Sequence, residues 1–158
     1  MTKKRALRHF DSLPQEAFLN LWRTYDRLRE FEDQLFGEYD LTPQQYNTLR
    51  ILRGEYPDAL PTLAVAARLV THAPDITRLV DKLESRGLIE RERPVENRRV
   101  VLVRVTEAGL LLLDEIDEPL RDCHQRQLGH LSAAQLRQLI ALLKEVRGPH
   151  EGEGSSWK

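Results

Sequence analysis

The chain has 158 residues, which fits one domain with a buried core. It is 41% hydrophobic and 31% charged, with a formal net charge of -1, so any attraction to an anionic partner has to come from a local patch. The lone cysteine, Cys123, excludes an internal disulfide and fits a reducing cytoplasm, and no apolar run approaches the ~18–20 residues that span a bilayer.

The basic start MTKKRALRHF has no apolar segment behind it and does not read as a secretory signal. Ser12 and Gln15 then have capping-box spacing, with Pro14 in the first turn. Phe18, Leu21, Trp22, Tyr25, Leu28 and Leu35 recur at helical steps as far as Gly37. This predicts a helix of roughly 24 residues, about 36 Å long. Thr42-Pro43-Gln44-Gln45 opens a second helix, with Tyr46, Leu49 and Leu52 on its apolar stripe, and Gly54 and Pro57 end it.

A short helix rich in small residues is predicted over about Pro61–Leu69. After a short break comes Pro74–Arg86, with Ile76, Leu79, Val80 and Leu83 at amphipathic spacing and Gly87 as its stop. Its N-cap is Thr71 or His72. Two short helices joined by a tight turn describe a helix-turn-helix. Leu88–Arg93 and Val100–Val105 read as two strands joined by PVEN, and Val101, Val103 and Val105 share one face. A hairpin directly after a helix-turn-helix is the winged-helix order. Thr106 caps a long helix lined by Leu110, Leu113, Ile116 and Leu120, which Pro119 is expected to kink or interrupt. Ser132 and Gln135 form a third box, opening a helix lined by Leu136, Leu139, Ile140, Leu143 and Val146. Residues 149–158 are Gly/Ser-rich and expected to be disordered.

Ile76–Arg91 (ITRLVDKLESRGLIER), the hairpin and helix start ENRRVVLVRVTEAG (Glu96–Gly109) and the upstream LTPQQYNTLRIL (Leu41–Leu52) together resemble the MarR family of winged helix-turn-helix transcription regulators. The likeness runs from about Leu13 to Arg147. It implies a mainly α fold with a small β-hairpin wing: a winged-helix core over residues 41–106, flanked by dimerisation helices at 13–37 and 107–147. It also implies a cytoplasmic homodimer that binds palindromic double-stranded DNA, usually as a ligand-responsive repressor. No cofactor is implied.

From Thr71 to Val105 there are eight basic and six acidic residues, a modest local bias. The positions expected to reach base edges are His72, Ala73, Asp75, Thr77 and Arg78. Arg78 has the chemistry to read guanine bidentately. Asp75 has two readings, acceptor for cytosine N4 or helix cap, and capping is favoured. Lys82 and Arg86 lie further along and suit backbone phosphates. In the wing, the family's Asp-x-Arg becomes Asn97-Arg98-Arg99. Arg99 matches the minor-groove arginine. Asn97 can still accept from its guanidinium, without charge assistance, and wing insertion is expected to survive with a less firmly held Arg99. Arg98 is read as a phosphate contact or a solvated side chain.

No phosphate-cradling glycine loop or catalytic set emerges, and an enzyme is not expected. Cys123-His124 and His130 lack the i, i+4 spacing that would put both histidines on one helix face for a metal. A redox-responsive regulator built on Cys123 ranks below a partly buried thiol. Trp22, Tyr25 and Tyr46 have the polar handles to line a cleft for a small phenolic or amphipathic effector, although core packing is the simpler role. The alternative function is a dimeric protein-interaction module without operator binding, which Asp75, Asn97 and the near-neutral charge would suit.

Overall fold

A computed structural model describes residues 10–157, so most of the basic N-terminal stretch lies outside the described residues. Six helices and a small sheet follow in order: α1 (Leu13–Gly37), α2 (Pro43–Glu55), β1 (Leu60–Pro61), α3 (Thr62–Arg68), α4 (Ile76–Ser85), β2 (Ile89–Glu92), β3 (Leu102–Val105), α5 (Glu107–Leu128) and α6 (Ala133–Arg147).

The capping residues start the helices as their chemistry dictates. Thr42 Oγ1 accepts from the Gln45 N–H (3.2 Å) and Gln45 Oε1 accepts from the Thr42 N–H (2.9 Å). Ser132 and Gln135 repeat the arrangement at 3.2 and 2.9 Å. At α1 the box is offset. Ser12 Oγ accepts from the Gln15 N–H (3.3 Å), but the Gln15 side chain accepts from the Asp11 N–H instead (2.6 Å). Thr106 caps α5 by accepting from the Gly109 N–H (3.2 Å), and its hydroxyl donates to the Gly87 carbonyl (2.6 Å). That bond ties the start of α5 to the end of α4.

The sheet order is β1-β3-β2, antiparallel throughout. The pairing Leu60↔Val103 and Pro61↔Leu102 adds a third strand to the expected hairpin. The predicted strands are also trimmed, because pairing closes at Glu92↔Leu102 and leaves residues 93–101 as a longer wing loop. Val103 and Val105 face a core with Phe36, Leu49, Leu52, Val80, Leu83, Leu113 and Ile116. Arg53 crosses from α2 to α5 and donates to both Asp117 oxygens (2.8 and 3.0 Å). Gln127 of α5 donates to the Leu28 carbonyl of α1 (2.8 Å).

Two further expectations, at α4 and α5, are revised. Asp75 is the N-cap of α4, in line with its favoured capping role, and neither Thr71 nor His72 takes that place. The helix α5 runs through Pro119 as one element; only the carbonyl of Glu115, an exposed residue, loses its helical donor. Past α6 the chain makes local contacts. Gly148–His150 form a 3-10 turn, and Arg147 donates to the Trp157 carbonyl (3.0 Å) and lies over its ring.

Two elements leave their apolar faces uncovered. α6 buries none of its residues, and Ile140, Leu142 and Val146 are more than half exposed. Along the first half of α1, Leu13, Phe18, Trp22 and Tyr25 are likewise exposed.

Candidate nucleic-acid interface

The segment leading into α4 is pinned to α2. Asn47 Oδ1, buried, accepts from the Val70 N–H (2.9 Å), and Gln44 Nε2 donates to the His72 carbonyl (3.3 Å). Asp75 then accepts from the Arg78 N–H (2.9 Å). Its carboxylate is thereby committed to the helix end, where a negative charge is also favoured by the dipole. This is the capping role favoured for Asp75.

Leu79, Val80 and Leu83 bury one side of α4. The opposite side presents Thr77, Arg78 and Lys82 to solvent, and His72 is exposed just before it. Ala73 is half-buried. His72, Thr77, Arg78 and Lys82 are thus all accessible.

The basic residues separate into two groups. Arg91 lies between Asp81 (2.6 Å) and Glu84 (3.0 Å). That guanidinium holds the Glu84 carboxyl below its ordinary pKa, chiefly through its hydrogen bond. Arg104 is clasped by Glu90 (3.1 Å) and Glu92 (2.5 Å). Both arginines are paired with carboxylates at the surface of the fold. By contrast Arg78, Lys82, Arg98 and Arg99 make no ion pair among the described residues. Between Thr71 and Val105, the exposed cations without an ion pair among the described residues lie on α4, at its C-cap and in the wing loop.

The wing tip has its own frame. The Asn97 N–H donates to the Pro94 carbonyl (3.2 Å) and the Val100 N–H donates to the Asn97 carbonyl (3.2 Å). Asn97 Oδ1 accepts from the Arg99 backbone N–H (3.2 Å), and among the described residues it takes no bond from the Arg99 guanidinium. Arg93 donates to the Arg98 carbonyl (3.1 Å). The loop is thus braced through its backbone, and the Arg98 and Arg99 side chains stay exposed.

Sequence reasoning missed the two arginine clasps. Arg104 sits opposite Glu90 in the hairpin register, so a correct register would have exposed that pair. The Arg91 clasp joins a helix to a strand, and no single periodicity reveals it. Arg86 is also engaged, with its guanidinium on the Tyr39 and Asp40 carbonyls.

Of the three aromatic candidates, two meet. Tyr25 and Tyr46 border a cleft of about 360 Å³ shared by α1, α2 and α5, with Glu32, Phe36, Arg50 and His124. Tyr46 stacks on Phe36 (centroids 4.6 Å apart), and burial pushes its phenol above the ordinary value. Trp22 lies elsewhere, with Phe18, Leu21 and Tyr25 on the exposed strip of α1. Cys123 is 4% exposed within the core, and burial, followed by the nearby Glu32 charge, pushes its thiol up. A thiol so placed is a poor oxidant sensor.

The MarR family model matches residues 41–101, the segment from α2 to the end of the wing loop. A crystallised MarR transcription factor from Planctomyces limnophilus is 56% identical, covering 86% of this chain and 98% of that one, with a TM-score of 0.70. The HTH-type transcriptional repressor IacR of Pseudomonas putida is 27% identical over 86% of this chain and 81% of its own length. A MarR variant from E. coli, crystallised with operator DNA, shares 23% identity and the fold, with a TM-score of 0.72 over 85% of this chain and 94% of that one. With the order of its elements, the wing and the extent of these matches taken together, the chain belongs to the MarR family of winged helix-turn-helix transcriptional regulators.

Proposed function

We infer that the protein is a homodimeric repressor that binds a pseudo-palindromic operator, with α4 in successive major grooves and each wing tip in the flanking minor groove. The observation that carries this reading is the sorting of charge. Arg91 and Arg104 are paired with carboxylates, while Arg78 and Lys82 on α4 and Arg98 and Arg99 in the wing are left exposed without an ion pair among the described residues. Arg78 reads a base edge, Lys82 and Arg98 contact phosphate, and Arg99 enters the minor groove. The operator complex of the E. coli MarR variant supports the same use of the shared fold.

The uncovered faces of α1 and α6 support dimerisation. An exposed run of leucine, isoleucine, valine and aromatic side chains on two helices is unfavourable in water and calls for a covering partner. A second copy presents the same two faces, and a two-fold pair sets two recognition helices one DNA turn apart, ~34–36 Å.

The cleft supports response to a small phenolic or amphipathic effector. Its Tyr25, Phe36 and Tyr46 rings offer stacking surface, and Arg50 and His124 offer polar contacts. Val70, Thr71 and Asn47 line the same cleft, and Asn47 holds the lead into α4. An occupant that displaced this lead would favour a different spacing of the recognition helices.

A mobility-shift assay on the DNA upstream of the protein's own gene, at two salt concentrations, tests the reading. Binding that resists unrelated competitor DNA and weakens steeply with salt is the expected result. Absence of a retained probe at low salt would overturn it.

A further inference from the structure

Sequence position alone groups Arg86 with Lys82 as a phosphate contact. The structure separates them. Lys82 makes no ion pair among the described residues. The Arg86 guanidinium turns back and donates through Nη1 to the Asp40 carbonyl (2.6 Å) and through Nη2 to the Tyr39 carbonyl (3.1 Å). Both carbonyls lie just past α1, where the chain turns through Asp40 at a φ of 54°. Neither accepts another protein hydrogen bond among the described residues.

The electrostatics favour this placement. The last turn of α1 carries no basic residue of its own. Arg86 supplies from α4 the positive charge that a helix C-terminus attracts. Its own position is fixed as the C-cap of α4. There Gly87 takes a φ of 70° and the Leu88 N–H returns to the Leu83 carbonyl (3.1 Å). One planar fork therefore joins the end of the recognition helix to the end of the long first helix. Three residues before the turn, Phe36 stacks on Tyr46 in the wall of the effector cleft.

We propose that Arg86 is a positioning residue that sets the angle of α4 against α1, and that it does not contact DNA phosphate. This rests on the DNA-binding reading above. Its consequence is that Arg86 governs operator affinity through the spacing of the two recognition helices, not through neutralised charge.

The test compares Arg86→Ala, Arg86→Lys and Lys82→Ala on operator DNA across a salt series. Lys82→Ala serves as the phosphate-contact reference; it lowers the slope of log affinity against log salt by about two per dimer, at ~0.9 per phosphate contact. Arg86→Ala is expected to weaken binding about tenfold, the scale of losing charge-assisted hydrogen bonds, with the wild-type slope retained. Arg86→Lys keeps the charge but loses the fork, and is expected to recover less than half of that loss on a logarithmic scale. A slope lowered as in Lys82→Ala, full recovery by lysine, or unchanged affinity in Arg86→Ala would each overturn the proposal. Amide hydrogen exchange in the DNA-free protein provides an arm independent of DNA binding. Arg86→Ala is expected to speed exchange at Leu41 and Leu88 about tenfold relative to amides in the middle of α5. Equal exchange in both proteins overturns the link even if the wild type binds no DNA, whereas failure of the wild type on DNA overturns only the reading it rests on.

Discussion

Asn97 and Arg99 show how far a single residue can be read. The departure from Asp-x-Arg was visible in the sequence, but its consequence was not. The Asn97 side chain holds the loop by accepting from the Arg99 backbone N–H at 3.2 Å. A carboxylate can accept the same bond, and alanine cannot. Asn97→Asp is therefore expected to bind operator within about threefold of wild type, and Asn97→Ala to bind about tenfold more weakly, on the scale of one loop-ordering hydrogen bond. Fluorescence anisotropy titrations with labelled operator would measure both; equal affinities for the two variants would contradict this role. Residue types announced which side chains had the right chemistry for DNA. They did not reveal which were already occupied. Arg86, Arg91 and Arg104 look as available in the sequence as Arg78, and only the packing of helix, strand and turn shows them engaged.

At the scale of elements, caps were the most legible features, because a capping box is a local contact between side chain and backbone three residues apart. The two-residue β1 left no trace, since its pairing with β3 is non-local and one of its residues is proline. The α5 start is the tightest joint. A Cβ on Gly109 would fall 2.3 Å from the Leu88 carbonyl oxygen and 2.6 Å from Val105 Cγ2. Gly109→Ala is expected to destabilise by about 1–3 kcal/mol despite alanine's better helix propensity, lowering Tm by roughly 2–4 °C per kcal/mol. A calorimetric melt at or above the wild-type Tm would refute the close approach. The α4–β2 clasp adds a pH signature. Arg91 holds the Glu84 pKa below its ordinary value, so that contribution is complete above the unfolded carboxyl's pKa and is lost as pH falls through the folded one. The stability advantage of wild type over Glu84→Gln, from urea midpoints, should therefore be constant above about pH 5 and shrink below about pH 4. A constant difference down to pH 3 would remove the clasp from the account.

At the scale of the whole molecule, the long apolar stripes of the first and last helices exceed what a winged helix of this size can bury. That surplus was legible in the sequence, and the uncovered faces of α1 and α6 locate it. Ile140→Glu places a charge on the uncovered face of α6. It is expected to shift sedimentation from a dimer toward monomers and to weaken operator binding at least tenfold, since burying an unpaired carboxylate is strongly unfavourable. A variant that sediments as wild type would move the interface elsewhere. We infer that the exposed cations of α4 and the wing grip DNA while the clasped ones do not. The most direct measurement is an anisotropy titration of the DNA upstream of the protein's own gene with the Arg78→Ala/Arg99→Ala double variant, beside wild type. The double variant is expected to sediment and melt like wild type yet lose operator affinity by about a hundredfold or more, given ~1–3 kcal/mol for a bidentate base contact alone. A double variant that binds that DNA as tightly as wild type would contradict it.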